Sequence, residues 1–156
     1  ITKVIDTNNN EDLIILKSVL QIIKDNNGMV NVTCGLHIHI DQPDLETTKQ
    51  ILTTIQQSHF LTLGVNQNRL DKYCKPLPKE LIVNLHTVNN FDELKQLWLA
   101  IDGAPDLHDI KYYMVNINQK NTLEFRWFNA TLDFELIMNI INSLSKLIDS
   151  PITNTL

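Results

Sequence analysis

Two strand-like runs, "KYYMVNIN" (111–118) and "TLEFRWF" (122–128), are separated only by "QKN". A link that short cannot carry a crossover, so the two runs form an antiparallel hairpin. No other feature of the 156-residue chain constrains the fold as much. A doubly wound nucleotide fold needs parallel strands that alternate with helices, and the remaining segments do not alternate that way. Helical periodicity marks 11–24, 44–58, 91–100 and about 132–148. In the first, Leu13, Leu16, Leu20 and Ile23 form a stripe that Ile15, Val19 and Ile22 widen. Asn10 is placed to cap this helix and Gly28 to stop it. In the last, Phe134, Ile137, Ile141, Leu144 and Ile148 line the buried side. Residues 30–40 read as a strand, with Gly35 marking a bend or bulge. Segment 60–90 holds a short helix or turn and a Pro-broken loop. The expected fold class is α+β: an antiparallel sheet with helices packed on one face, in a single domain spanning 1–156.

Composition narrows the function. The formal charge is -5, and no two basic residues are adjacent. A general nucleic-acid binder needs clustered Lys and Arg to displace counterions, so that class is set aside. There is no apolar run near 18 residues, so no membrane partner is expected. The two cysteines, Cys34 and Cys74, are too few for a disulfide framework, which points to a cytoplasmic protein.

The chemistry-bearing stretch is "TCGLHIHID", Thr33 to Asp41. Residues two apart share a strand face, so His37, His39 and Asp41 line up opposite Leu36, Ile38 and Ile40. Imidazole is a metal ligand when neutral and a phosphate partner when protonated. A half-exposed strand that tolerates polar residues is the plainer reading. In the hairpin, Thr122, Glu124, Arg126 and Phe128 share one face; Leu123, Phe125 and Trp127 share the other. Glu124 and Arg126 read either as a same-face ion pair or as a cation ligand beside an anion grip. Arg69, Lys72 and Tyr73 in "NRLDKYCKPLP" can approach phosphate, or form a solvated helix face. We place Arg69, with His39, on the cofactor-binding side. A zinc set of Cys34, His37, His39 and Cys74 is the weaker alternative, because Cys34 and His37 point to opposite faces of a regular strand.

Three motifs in order, "CGLHIHID", "NRLDKYCKPLP" and "KYYMVNINQKNTLEFRWFNATLD" followed by a helix, resemble the amidoligases. These are carboxylate–amine ligases related to glutamine synthetase and glutamate–cysteine ligase. The resemblance covers most of residues 31–148. It implies a glutamine-synthetase-like fold, whose saddle-shaped sheet has helices behind and the site on its concave face. It implies an ATP- and Mg2+-dependent reaction in which a carboxylate becomes an acyl phosphate and an amine then attacks it. By the resemblance, His37 and Glu124 hold metal, His39 lies near nucleotide phosphate, and Arg126 binds the substrate carboxylate or the transferred phosphate. Substrates are then small-molecule or peptide acids and amines. The family opens with a strand of paired glutamates, whereas this chain has no Glu-x-Glu and begins with Ile1. The expectation is therefore the C-terminal portion of a longer catalytic domain, with self-association through an exposed sheet edge. The runner-up is a non-catalytic binding or assembly module with the same fold.

Overall fold

The computed structural model describes residues 5–57, 65, 67–103, 109–117 and 121–149. His59, His108, Pro105, Pro151 and the link residues Gln119 and Lys120 lie outside the described residues. The elements run α1 (Asn10–Asp25), β1 (Gly35–Asp41), α2 (Leu45–Gln57), α3 (Gln67–Lys72), α4 (Lys79–Asn84), α5 (Phe91–Asp102), β2 (Val115–Ile117), β3 (Thr122–Asn129) and α6 (Phe134–Asp149). Short 3-10 turns follow α4 and precede β2.

The strands form one antiparallel sheet in the order β1-β3-β2. The β2–β3 pair is the expected hairpin, and β1 joins from the far side of β3. Mixed helices and a small antiparallel sheet make this an α+β fold. Leu123, Phe125 and Trp127 of β3 and Val115 and Ile117 of β2 are buried in a core completed by Leu52, Leu81, Trp98 and Leu144 from four helices. Ile38 and Ile40 of β1 pack against the same core. The opposite face carries His37, His39, Glu124 and Arg126. Edge-to-face packing of Trp98 on Tyr113 and a short hydrogen bond from the Tyr113 hydroxyl to Asp102 tie α5 to the segment entering β2. Burial, then the hydrogen bond and charge of Asp102, push the Tyr113 phenol up.

Helix ends follow side-chain chemistry. Asn90 Oδ1 accepts from Glu93 N at 2.9 Å, capping α5, and Gly103 closes it with φ 65°. Asp44 Oδ1 accepts from Thr47 N at the start of α2. In α1 the cap is Asn9 rather than Asn10, and the left-handed residue beyond its end is Asn27, at φ 58°, one place before Gly28.

Further sequence expectations need correction. Ile15, Val19 and Ile22 do not widen a buried stripe; all three are exposed, and Leu20 is the apolar residue that α1 buries. The first strand starts at Gly35, not at residue 30, because Asn31 Oδ1 accepts from Thr33 N and turns the chain first. The bulge is not at Gly35. Leu36 pairs with Phe128 and Ile38 with Phe125, so His37 stands opposite two residues, Arg126 and Trp127, and the extra residue is on β3. It resets the alternation, so Phe128 lies across from Leu36 and packs against the core instead of sharing the Glu124 face.

Candidate functional site

Glu124 lies on the central strand, directly opposite His39 of β1 and Asn116 of β2. One row of side chains therefore crosses the sheet, on the face away from the core. Glu124 is only 5% exposed, and both carboxylate oxygens are engaged. Oε1 lies 3.0 Å from His37 Nδ1 and 2.5 Å from Arg126 Nη1. Oε2 accepts from Asn116 Nδ2 at 2.9 Å. His39 Nε2 stands farther off, 3.6 Å from Oε1, and its Nδ1 is 3.3 Å from Thr122 Oγ1. Burial alone would raise the Glu124 carboxyl. The hydrogen bonds from His37 and Asn116 and the charges of Arg126 and His39 outweigh it and hold the group down at about 2.

The arrangement is polarised. The carboxylate and Asn116 are buried at the floor, while the His37 and His39 side chains are 38% and 47% exposed at the rim. His37 turns Nδ1 inward, so its Nε2 edge is the one left for a ligand. Arg126 is tied to Glu124 through Nη1, and its buried Nε has no partner among the described residues. A guanidinium with donors to spare beside an imidazole rim suits an oxyanion such as carboxylate or phosphate.

The structure brings four of the expected residues, His37, His39, Glu124 and Arg126, within a few ångströms of one another. Arg69 does not form a solvated cluster with Lys72 and Tyr73. Those two are exposed, whereas Arg69 is 2% exposed and donates to the carbonyls of Thr33 and Arg126. Asn116 is the member that sequence reading passed over. Its signal was the hairpin register, which puts residue 116 across from 124 once the turn is fixed.

No group of three or more His, Cys, Asp or Glu side chains among the described residues is arranged to hold a metal. The zinc set is therefore not assembled: Cys74 is fully buried in the core, and Cys34 Sγ turns to Asn31 Oδ1. For Mg2+ the cluster offers one carboxylate and imidazole nitrogen. Mg2+ retains several waters and commonly takes one or two carboxylates plus phosphate oxygens, so these residues fit part of such a shell and not all of it.

Residues 7–148 match the family model described as "Putative amidoligase enzyme". The chain belongs to the amidoligase family. The match takes in α1 as well as the three motifs, so the helix before the first strand is part of the family pattern. Neither a curated protein nor a solved structure matches the chain. No helix among the described residues is long and apolar enough to cross a membrane.

Proposed function

We propose that this amidoligase is an ATP-dependent carboxylate–amine ligase that forms an amide through an acyl phosphate. The observation that carries the proposal is the convergence of Glu124 and Arg126 of β3 with His37 and His39 of β1 on one open sheet face. Phosphoryl transfer asks little covalent work of a protein. It needs positioned charge around the oxygens that gain or spread negative charge. Arg126 supplies that charge to the substrate carboxylate or the transferred phosphoryl group. His39, at the rim, faces the nucleotide phosphates. Glu124 and the Nε2 edge of His37 would hold part of the shell of Mg2+, which when bound neutralises phosphate charge. The floor residue Asn116 keeps Glu124 aimed. Acids and amines of small-molecule or peptide type are the proposed substrates, and a glutamine-synthetase-like sheet is the proposed architecture of the whole catalytic domain.

A specific observation favours a second reading, a binding module without catalysis: the described residues contain a single carboxylate in the cluster and no three-ligand group. One experiment separates the two. ATP turnover is measured across a panel of acids and amines, beside ATP binding, for wild type, Arg126→Gln and His37→Ala. Turnover that needs both an acid and an amine, and that falls at least about 100-fold in Arg126→Gln, supports the ligase. Binding with no turnover across the panel supports the module. Neither binding nor turnover would refute both.

A further inference from the structure

We propose that Arg69 is a positioning residue, which sets the place of Arg126 in the site through the gap left at Gly35. The inference rests on the reading that Arg126 grips an anion. Gly35 stands in the same strand row as His37 and His39, so a side chain there would point to the site face. The space is taken. A Cβ built on Gly35 would lie 2.9 Å from both Cζ and Nη1 of Arg69. That separation is closer than real Cβ contacts allow, so a side chain at position 35 would shift the Arg69 guanidinium from its place against β1.

From there the guanidinium bridges two backbones. Nη1 donates to Thr33 O at 3.4 Å, at the entry to β1, and Nη2 donates to Arg126 O at 3.2 Å, at the bulge in β3. On its other side the Arg126 amide donates to Met114 O at 2.8 Å, beside β2. The bulged residue is thus held by its amide toward β2 and by its carbonyl toward Arg69. This matters because a bulge is the place where side-chain direction can change. Moving the extra residue by one position would turn Trp127 toward the site, and moving it by two would also turn Arg126 toward the core. Arg69 itself is anchored from α3: the amides of Tyr73 and Cys74 both donate to its carbonyl, and its neighbour Leu70 is in the core. The residue is 2% exposed. Its rigid planar fork meets the two carbonyls from two separate nitrogens, a spacing that the single nitrogen of a lysine does not reproduce.

The test measures pyrophosphate binding to the whole chain by calorimetry, with crystal structures of the variants. Gly35→Ala and Arg69→Met are each expected to weaken binding about tenfold, the scale of one misplaced charge-assisted hydrogen bond. Arg69→Lys is expected to behave like Arg69→Met. In an Arg126→Gln background, Arg69→Met should add no further loss, because Arg69 acts through Arg126. Additive losses would mean that Arg69 touches the anion itself, and would overturn the proposal. If wild type binds no pyrophosphate, the anion reading fails. The positioning proposal is then decided by the Arg69→Met structure. An Arg126 guanidinium displaced from Glu124 supports it, and one still in place overturns it.

Discussion

Glu124→Gln removes one charge from the floor of the site and leaves its shape almost unchanged. The Gln carbonyl can still accept from His37 and Arg126, and Asn116 can turn its amide to accept from the new N–H. What is lost is the carboxylate that the folded protein holds at about 2, against an ordinary value of 4.5. A drop of that size corresponds to about 3 kcal/mol of stability at neutral pH, at roughly 1.4 kcal/mol per unit. The side chain is 6% exposed, so the discount for screening of a surface pair does not apply. The folded state binds the proton less tightly than the unfolded chain does. The contribution is therefore complete above pH 4.5 and is lost as pH falls toward 2. Linkage puts about 2 of the ~3 kcal/mol gone by pH 3.

Trp98 and Trp127 are fully buried, so their fluorescence reports unfolding without added labels. Urea midpoints measured from pH 7 to pH 3 for wild type and Glu124→Gln give the difference in stability directly. Asp44 and Glu93 also have carboxyls lowered by backbone hydrogen bonds, but they are present in both proteins and cancel. The expected result is a wild-type advantage near 3 kcal/mol at pH 7 that shrinks to about 1 kcal/mol at pH 3. Parallel stability curves would refute the assignment of Glu124 as a stabilised buried anion.

Leu52→Ala opens a cavity in the core between α2 and the sheet, and should cost about 2–5 kcal/mol in the same urea assay. A loss under 1 kcal/mol would show that this site collapses around the gap. Asn90→Ala removes the cap whose Oδ1 accepts from Glu93 N, and should cost about 1 kcal/mol; unchanged stability would mean that water caps α5 equally well. β1 is paired on one side only among the described residues, and it carries neither Lys nor Pro to blunt its edge. We expect concentration-dependent self-association in sedimentation, and monomer alone at high concentration would refute it.

The parts of the site that could be read from sequence are those set by strand parity. His37 and His39 share a face because they are two apart in an unbroken strand, and the alternating exposure of β1 follows that rule. Glu124 and Arg126 share a face for the same reason up to the bulge. Beyond it the rule fails, because the bulge lies on β3 and leaves no residue-level mark there. The glycine that hinted at one sits on β1 and answers to Arg69 instead. Arg69 reads from sequence as a phosphate-approaching residue on the cofactor side or as a solvated helical cation, because a six-residue helix has too little periodicity to show which side meets the sheet. In α1 the apolar residues outnumber what its neighbours cover. Its pattern predicted the helix correctly and the burial of Ile15, Val19 and Ile22 wrongly.

The sheet order divides the site by rigidity. Glu124 is on the central strand, paired with β1 and β2, and Arg126, in the bulge of the same strand, is held by Met114 O at its amide and by Arg69 at its carbonyl, so both backbones are fixed on two sides. Asn116 beneath them is buried and hydrogen bonded. His37 and His39 come from the edge strand and are half exposed, so their rings can move without breaking the core. A site that must hold a carboxylate and a guanidinium within a fraction of an ångström gains most from placing them on the central strand. On the proposed ligase reading, the groups that would meet a varying ligand lose least by standing at the edge. Ligand specificity should therefore respond more to changes along β1 and its rim than to changes on β3, where substitution removes the charge pattern itself.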